Sequence, residues 1–388
     1  MTFPWRYYVR SLFERKGTTL MTVGSIAFVV LVYIGVLSLA AGLQRAFGAS
    51  GDSRNVIVLR EGSTSETTSY YPVDRYRELK TLPGIPTTAE GEPLASGEVL
   101  VLQNLGRKDG TMSNVTLRGV TPEAFLIREN LRIVAGRSFQ PGRGEVIVGQ
   151  NLTSRFRDLQ LGSTVQFGRL PFRVTGIFES GGSSFDSEVW GAGADFCQTF
   201  QRGVYYSSTL IRTASPEAAR ELIERIEKDQ RLKLNALPER EYYAQQTAAT
   251  ARQFLVLGNG LAILMAFGAC FAAANTMYAS VAARTGEIAI LRALGFKRRG
   301  ILAGFLLESV LLGLVAGLVG AGLSLPLNGI TAGTTNFVTF SEISFTLRTT
   351  PDVLAGGVLL AVLTGLVGGI APAWTASRMP ILEALRAA

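Results

Sequence analysis

The sequence predicts a membrane protein with four transmembrane α-helices and a large α+β domain inserted between helices 1 and 2. Only 18% of its 388 residues are charged, whereas soluble domains average about 25%. Four segments that are almost free of charge are each long enough to cross about 30 Å of hydrocarbon. Residues 45–252, between the first two of these segments, hold 24 of the 30 acidic residues. This region is therefore predicted to fold outside the membrane.

The residue types that are rare in this chain exclude several kinds of enzyme. Histidine is absent, which excludes Ser-His-Asp triads, HExxH metal sites and imidazole proton transfer. Cys197 and Cys270 are the only cysteines, so a disulfide framework or a cysteine-based zinc site is not expected. The composition therefore predicts a non-catalytic chain that binds no cofactor and no metal.

The first apolar segment is predicted to be transmembrane helix 1, residues 18–44. No charged residue lies between Lys16 and Arg45. The basic residues before the segment, and the small residues Ser38-Leu39-Ala40 near its end, are also typical of a secretory signal. A signal peptide has an apolar region of only about 7 to 15 residues, so we interpret the segment as an uncleaved helix.

Three further spans are predicted in the second half of the chain, at residues 253–283, 301–326 and 353–377. The first and the last of these contain no charged residue, and the middle one is interrupted only by Glu308. Each exceeds the roughly 20 residues that a crossing needs.

The distribution of Lys and Arg predicts which segments are cytoplasmic. The N-terminal segment 1–17, the loop 284–300 and the tail 378–388 together hold eleven of these residues, whereas the short external loop 327–352 holds one. Positive charge collects on the cytoplasmic side of a membrane, so both termini are predicted to be cytoplasmic. The net charge of +8 reflects mainly this asymmetry, and no nucleic-acid partner is inferred.

The external domain, residues 45–252, shows the patterns of short strands and of one amphipathic helix. Two runs rich in β-branched residues flank the segment 107–110, which contains an Asp-Gly turn typical of a hairpin. Ser215 followed by Pro216 is a typical helix start, and apolar residues then recur at helical spacing. The patterns leave open whether the domain is one large unit or two small ones.

Two features of this domain resemble functional sites. Residues 180–184 have the composition of a phosphate-binding loop but lack its lysine and its strand-to-helix context, so they are interpreted as a flexible surface loop. Phe185 and Trp190 have two interpretations, contact with an adaptor protein or burial in the domain.

The loop 284–300 is predicted to contain a short helix. Thr285 is a candidate N-cap, Glu287 lies in the first turn, and Gly295 is suited to the C-terminal end. A short helix between two spans is also typical of an amphipathic connector at the membrane surface, and the residues alone leave that alternative open.

Several motifs resemble a known family. In the second half of the chain they are Glu287-Ile288, Leu291-Arg292-Ala293-Leu294-Gly295, Glu308, Pro372, Ala376, Pro380 and Glu383-Ala384-Leu385-Arg386. In the domain they are GRSFQPGRGEVIVGQNL and LQLGSTVQFGRLPFRVTGIFES. Together they closely resemble the FtsX-like permeases of ABC transporters, of the MacB and LolCDE type, over nearly the whole chain.

The resemblance implies a multi-pass permease of the bacterial inner membrane with a MacB-like periplasmic domain. It implies that the segment 284–300 is a coupling helix docked on a P-loop ABC ATPase subunit, which binds ATP and Mg. The sequence contains no GxxxxGK[ST] motif, so the ATPase is expected on a separate chain, as in DevC-like permeases. A second permease copy or a paralogue, membrane lipids, a periplasmic adaptor and an outer-membrane duct are the other implied partners.

The resemblance also suggests roles for individual residues. ATPase coupling is assigned to Glu287, Ile288, Leu291, Arg292, Leu294 and Gly295, although Glu287 and Arg292 also suit the polar face of a surface helix. Glu308 is costly in lipid unless it meets a partner, water or the basic cytoplasmic end of its helix, and a coupling role is one interpretation. Close helix packing, within or between protomers, is predicted at Gly313, Gly317, Gly365 and Gly369.

The function expected from the resemblance is export. The permease would couple ATP hydrolysis by the separate subunit to motion of the periplasmic domain, and so export or extract a lipid, a peptide or a drug-like substrate. The alternative is an FtsX-like transmembrane signal transmitter that regulates an extracytoplasmic hydrolase. A membrane-anchored structural protein is a third interpretation. The sequence leaves the substrate, and the choice between a homodimer and a heterodimer, open.

Overall fold

The computed structural model describes residues 16–203, 205–335 and 341–380, and the chain divides into two compact units. The helical unit comprises the described residues of 1–41, 253–330 and 347–388, and the sheet unit comprises those of 42–252 and 331–346. The terminal motif Glu383–Arg386 and most of the predicted N-terminal segment lie outside the described residues.

Four of the helices are long and apolar enough to cross a membrane, as the sequence predicts. In chain order, the helices of the described residues are α1 (Lys16–Gly48), α2 (Val73–Lys80), α3 (Glu123–Ile127), α4 (Gln150–Thr153), α5 (Gly193–Thr199), α6 (Pro216–Lys228), α7 (Glu239–Ala283), α8 (Thr285–Ala293), α9 (Arg298–Ser324) and α10 (Pro351–Arg378). The four long apolar helices are α1, α7, α9 and α10.

Two of these helices run without a break from one unit into the other. Helix α1 continues to Gly48, beyond the last residue of its helical-unit segment at Ala41. Helix α7 has 45 residues and is about 68 Å long at about 1.5 Å per residue, which is about twice the length of a crossing. Its first part, as far as Arg252, belongs to the sheet unit. Each helix is therefore a continuous connection between the units.

The sheet unit is built on a ten-stranded mixed sheet, accompanied by two small two-stranded sheets. The strands are β1 (Asn55–Arg60), β2 (Tyr71–Pro72), β3 (Ala95–Gly106), β4 (Met112–Val120), β5 (Arg132–Gly136), β6 (Glu145–Gly149), β7 (Thr164–Phe167), β8 (Leu170–Glu179), β9 (Glu188–Ala192), β10 (Tyr205–Tyr206), β11 (Ser208–Arg212), β12 (Leu234–Pro238), β13 (Thr331–Thr335) and β14 (Glu342–Thr346). The large sheet has the order β12-β1-β11-β3-β4-β9-β6-β8-β5, with β7 paired to β8. The pairs β4–β9 and β6–β8 are parallel.

Two local predictions in this unit are confirmed. Strands β3 and β4 form the predicted antiparallel hairpin, and Gly110 in its turn has a φ of +90°, which glycine adopts without steric cost. Helix α6 begins as expected, because the hydroxyl of Ser215 accepts a hydrogen bond of 3.2 Å from the backbone N–H of Ala218.

The large sheet supports two hydrophobic cores, so the domain is one sheet with two lobes. The first core includes Val56, Leu79, Leu222 and Ile226, from β1, α2 and α6. The second includes the residues Leu117, Val148, Phe172, Val189 and Phe196, from β4, β6, β8, β9 and α5. Strands β3 and β4 pair along eight residues and make the sheet continuous.

A buried ion network centres on Arg118, which is only 1% exposed. Its guanidinium lies 2.9 Å from Glu66, 2.6 Å from Glu98 and 2.7 Å from Glu188, and Arg128 pairs with Glu98 at 2.5 Å. Burial by itself would raise the pKa of Glu98, but Arg128 and Arg118 outweigh it and hold that pKa below its usual value. Glu98 is therefore held in its charged form between its two guanidinium partners.

The aromatic residues beside this network are buried, so the adaptor interpretation of Phe185 and Trp190 is wrong. Phe185 is 2% exposed and Trp190 is fully buried. The guanidinium of Arg128 lies 4.7 Å from the centre of the Phe185 ring and 5.1 Å from that of the Trp190 ring. Cation–π attraction of this kind is strong only where water is excluded.

The serine- and glycine-rich segment 180–184, interpreted as a flexible surface loop, reaches the surface only at Gly181 and Gly182. The carboxylate of Asp186 accepts hydrogen bonds from the backbone N–H groups of Ser180 and Gly182, and Ser183 and Ser184 are buried. Burial raises the pKa of Asp186 to about 6 in spite of these hydrogen bonds. The segment is a turn that Asp186 closes.

We predict that Arg118→Met destabilises the protein strongly. The substitution leaves Glu66 and Glu188 buried without their guanidinium partner, and breaking a buried pair in this way costs about 3–5 kcal/mol. We expect the thermal unfolding midpoint of the full chain in detergent to fall by about 10 °C or more. Arg231→Met is the control, since Arg231 has a side chain 86% exposed and pairs with Asp229 at the surface. An equal midpoint for both variants would show that the network contributes nothing.

Candidate coupling site

The segment predicted to couple the permease to an ATPase forms helix α8, and this helix ends before Gly295, as the sequence indicates. Gly295 has a φ of +89°, its N–H donates to the carbonyl of Arg292 at 3.1 Å, and the N–H of Phe296 donates to that of Leu291 at 3.1 Å. These two hydrogen bonds make a Schellman motif, which requires a left-handed residue at this position.

Thr285 does not cap α8, and this prediction is wrong. Thr285 is already the first residue of the helix, and Arg284 before it makes no side-chain capping hydrogen bond. The Thr285 hydroxyl instead donates to the carbonyl of Ala282 at 2.8 Å, at the end of α7. The two helices follow so closely that the hydroxyl satisfies a free carbonyl of the first one.

The residues assigned to coupling lie on two different faces of α8. Ile288 is 3% exposed and packs in a core with residues of α7, α9 and α10, so its side chain anchors the helix. Glu287 is exposed, and Leu294 is 63% exposed. Ile290, which sequence reasoning missed, is 55% exposed on the same face; its spacing of three residues from Glu287 is the signal that identifies it. We call Glu287, Ile290 and Leu294 the docking face.

Glu308 has a partner, and that partner is Arg284 at the start of the loop helix. The carboxylate of Glu308, whose side chain is 4% exposed, lies 3.2 Å from the guanidinium of Arg284. The hydroxyl of Ser280 on α7 also donates to it at 3.5 Å. A carboxylate in an apolar helix is tolerated where a cation and a donor meet it. The pair ties the N-terminal end of α8 to α9.

Arg292 ties the other end of α8 to α10. Its guanidinium donates a hydrogen bond of 2.9 Å to the carbonyl of Ser377, one of the last carbonyls of α10, which have no partner within their own helix. A cation is favourable at this end of a helix dipole. Arg292 therefore has a role within the chain, and its contact with an ATPase stays a prediction.

Three cations follow α8 at an electrostatically unfavourable place. Lys297, Arg298 and Arg299 are exposed at the N-terminal end of α9, where the helix dipole disfavours positive charge. Helix stability therefore does not explain them, and the cytoplasmic orientation that they predict by the distribution of Lys and Arg stays a prediction.

The four predicted glycines bring α9 and α10 into close contact within one chain. A Cβ atom on Gly313 would lie 2.6 Å from the carbonyl oxygen of Ala361, and one on Gly365 would lie 2.5 Å from that of Ser309. A Cβ on Gly317 would lie 3.0 Å from the Cβ of Ala361, and one on Gly369 would overlap the Ser309 hydroxyl. These close approaches join α9 and α10 into a rigid pair.

The ends of α1 and α7 that reach into the sheet unit are fastened to each other. The Glu239 carboxylate accepts hydrogen bonds from the N–H of Asp52 at 3.1 Å and from the side-chain amide of Asn55 at 2.7 Å. A Cβ on Gly51 would lie 2.6 Å from the Cα of Arg240, so only glycine fits there. A polar cavity of about 460 Å³ lies at the same place, lined by residues 48–55 and 127–130 among others.

The family models match both parts of the chain. A MacB-like periplasmic core domain matches residues 19–229, and an FtsX-like permease C-terminal domain matches residues 259–381.

Curated relatives have related descriptions. The uncharacterized ABC transporter permease YknZ of Bacillus subtilis (strain 168) is 28% identical over 71% of this chain and 70% of its own. The pyoverdine export ATP-binding/permease protein PvdT of Pseudomonas fluorescens (strain Pf0-1) is 25% identical over 98% of this chain, which spans 58% of the length of that relative. Among solved structures, the periplasmic region of MacB from Actinobacillus actinomycetemcomitans is 13% identical, with a TM-score of 0.37 over 49% of this chain and 91% of that one.

We predict that a methyl group added at Gly365 or Gly313 separates α9 from α10. Gly365→Ala and Gly313→Ala each place a Cβ about 2.5 Å from a backbone oxygen, so the helices must move apart. We expect a lower thermal midpoint in detergent for both. Gly356→Ala is the control on α10, since nothing lies within 4 Å of its Cβ position, and alanine favours a helix over glycine by about 1 kcal/mol. Equal midpoints for the three variants would contradict close packing.

We predict that Glu308→Gln loosens α8. Without the charge on Glu308, Arg284 no longer holds the start of the helix, and local opening lets the exposed basic residues 297–299 take the extended form that a protease binds. We expect trypsin to cleave there about tenfold faster, which corresponds to about 1.4 kcal/mol of lost local stability. Glu287→Gln is the control on the exposed face. Similar cleavage rates in the two variants would show that the pair does not hold α8.

Proposed function

The chain belongs to the family of ABC transporter permeases that carry a MacB-like periplasmic core domain and an FtsX-like permease domain, and from this membership we propose that it is the permease subunit of an export complex. A separate P-loop ABC ATPase binds ATP and Mg and docks on α8. ATP binding and hydrolysis there move the periplasmic domain, which exports or extracts a lipid, peptide or drug-like substrate.

The observation that carries this proposal is the docking face of α8. Ile290 and Leu294 are each more than half exposed, and three exposed cations, Lys297, Arg298 and Arg299, follow them in the same segment. Exposed apolar side chains rimmed by charge are typical of a protein interface. The cations favour a partner surface with acidic groups. Glu287 adds one charge that fixes the docking orientation.

The mechanism follows from how α8 is held. Its start is paired to α9 through Glu308, its end is bonded to α10 through Arg292, and its middle is buried through Ile288. A displacement of α8 by the ATPase therefore moves the close-packed α9 and α10. The unbroken helices α1 and α7 carry the movement onward to the sheet unit.

The surroundings of the complex are proposed from the family and the charge pattern. The chain lies in the bacterial inner membrane with both termini in the cytoplasm, beside a second permease copy or a paralogue. A periplasmic adaptor and an outer-membrane duct receive the substrate. The match to a MacB-like periplasmic core domain over residues 19–229 favours export over the FtsX-like regulation of an extracytoplasmic hydrolase.

We predict that Ile290→Asp with Leu294→Asp releases the ATPase. A charge at each position prevents an apolar interface from closing over it. The full chain is purified in mild detergent from its own host, and its partners are quantified by mass spectrometry. We expect a P-loop ATPase near one-to-one with the wild type and a loss of at least tenfold in the double variant.

The matched control is Leu126→Asp, since Leu126 is 56% exposed but belongs to the sheet unit. It should keep the ATPase. If no ATPase accompanies the wild type, the transporter proposal is wrong. If a hydrolase of the cell envelope accompanies it in place of an adaptor, the signalling alternative replaces export.

A further inference from the structure

The segment between α9 and α10 forms part of the sheet unit. Strands β13 (Thr331–Thr335) and β14 (Glu342–Thr346), which we call the strap, pair antiparallel and cluster with residues 42–252. Sequence reasoning treated residues 327–352 only as a short external loop. Residues 336–340 between the two strands lie outside the described residues.

A buried carboxylate holds the strap on the sheet unit. The side chain of Glu342 is fully buried. The guanidinium of Arg107, in the β3–β4 turn, donates through Nε to the carboxylate at 2.8 Å, and that of Arg155 lies 2.7 Å away. Two cations thus converge on one acidic group. An unpaired carboxylate is costly to bury, so this contact fixes where the strap lies.

Backbone hydrogen bonds and close packing extend the same contact. The N–H of Ser344 donates to the Ser187 hydroxyl at 3.0 Å, and this hydroxyl donates to the carbonyl of Ser344 at 3.3 Å. Ile343 and Phe345 are 5% and 2% exposed. A Cβ on Gly333 would overlap the guanidinium of Arg155, so a larger residue there would displace that guanidinium from its present position. The strap therefore packs as an integral part of the sheet unit.

Short linkers join the strap to the spans. Residues 328–330 separate β13 from the turn that ends α9, and residues 347–350 separate β14 from α10. Fully extended, three and four residues reach only about 10 Å and about 14 Å. The N–H of Gly329 also donates to the carbonyl of Leu347, and the N–H of Leu347 to that of Ile330. The strap is therefore joined to the ends of α9 and α10 by only a few residues of chain.

We propose that the strap is a third connection through which α9 and α10 drive the periplasmic domain, with Glu342 as its positioning residue. This inference rests on the proposed function for its role in transport. The same two helices hold α8 through Glu308 and Arg292, so a displacement of α8 reaches the domain through the strap as well as through α1 and α7.

The test measures the distance between the sheet unit and the end of α9 by pulsed electron paramagnetic resonance. Nitroxides are attached at Leu161→Cys and Leu323→Cys, which replace exposed residues, in full chain carrying Cys197→Ser and Cys270→Ser. Without nucleotide, the wild type should give one narrow distribution. Glu342→Gln and Gly333→Val should each at least double its width. Glu145→Gln, which weakens the pair with half-exposed Arg137 elsewhere in the unit, is the control and should keep it narrow.

A second arm separates this inference from the proposed function. The same labels are measured in the complex with its ATPase, comparing ADP with a non-hydrolysable ATP analogue. A nucleotide-dependent shift in the wild type that is lost in Glu342→Gln supports the strap as a transmission element. A shift unchanged in Glu342→Gln and Gly333→Val, or a narrow distribution in both without nucleotide, overturns it. If the wild type shows no shift, the proposed function is wrong, and the measurement without nucleotide still decides whether the strap is docked.

Discussion

A carboxylate buried away from water requires a cation, and in this chain that requirement joins segments that are distant in sequence. Glu308 of α9 meets Arg284 at the start of α8, Glu342 of the strap meets Arg107 and Arg155, and Glu98 meets Arg118 and Arg128. A buried charge that loses its partner costs several kcal/mol. Each ion pair therefore adds one specific constraint on the positions of the segments it joins.

Close contact between helices is the second constraint, and it makes the helical unit stiff. In lipid, the hydrophobic effect does not hold helices together, so small residues and close backbone approach do. Gly313 and Gly365 bring α9 and α10 together, and Gly320 and Gly357 pack against Val30 and Ile34 of α1. Because packed side chains leave no space to deform, a displacement of one helix moves its neighbours.

Features that depend on local sequence could be predicted, and features that depend on distant contacts could not. The four apolar helices, the β3–β4 hairpin and the end of α8 at Gly295 follow from hydropathy, β-branched runs and the conformational freedom of glycine. The choice of face on α8 depends on what packs against it, and hydropathy does not separate buried Ile288 from exposed Ile290; only the spacing of Ile290 from Glu287 indicates that those two share a face. The burial of Phe185 and Trp190, and the partner of Glu308, likewise depend on the tertiary fold.

The loop between α9 and α10 folds with the domain because it packs on the same part of it as the end of α1. A Cβ on Gly42 of α1 would overlap the carbonyl oxygen of Thr346 in the strap and would lie 3.0 Å from the ring of Phe345. Just after α1, the hydroxyl of Ser50 hydrogen-bonds to Ser184, and Ser187 in the same turn hydrogen-bonds to Ser344 of the strap. The ends of α1 and α7 are fastened together through Glu239 and by the contact of Gly51 with Arg240. Because Arg107 and Arg155 hold Glu342 in place, the strap and these two helix ends form one continuous packed region of the sheet unit.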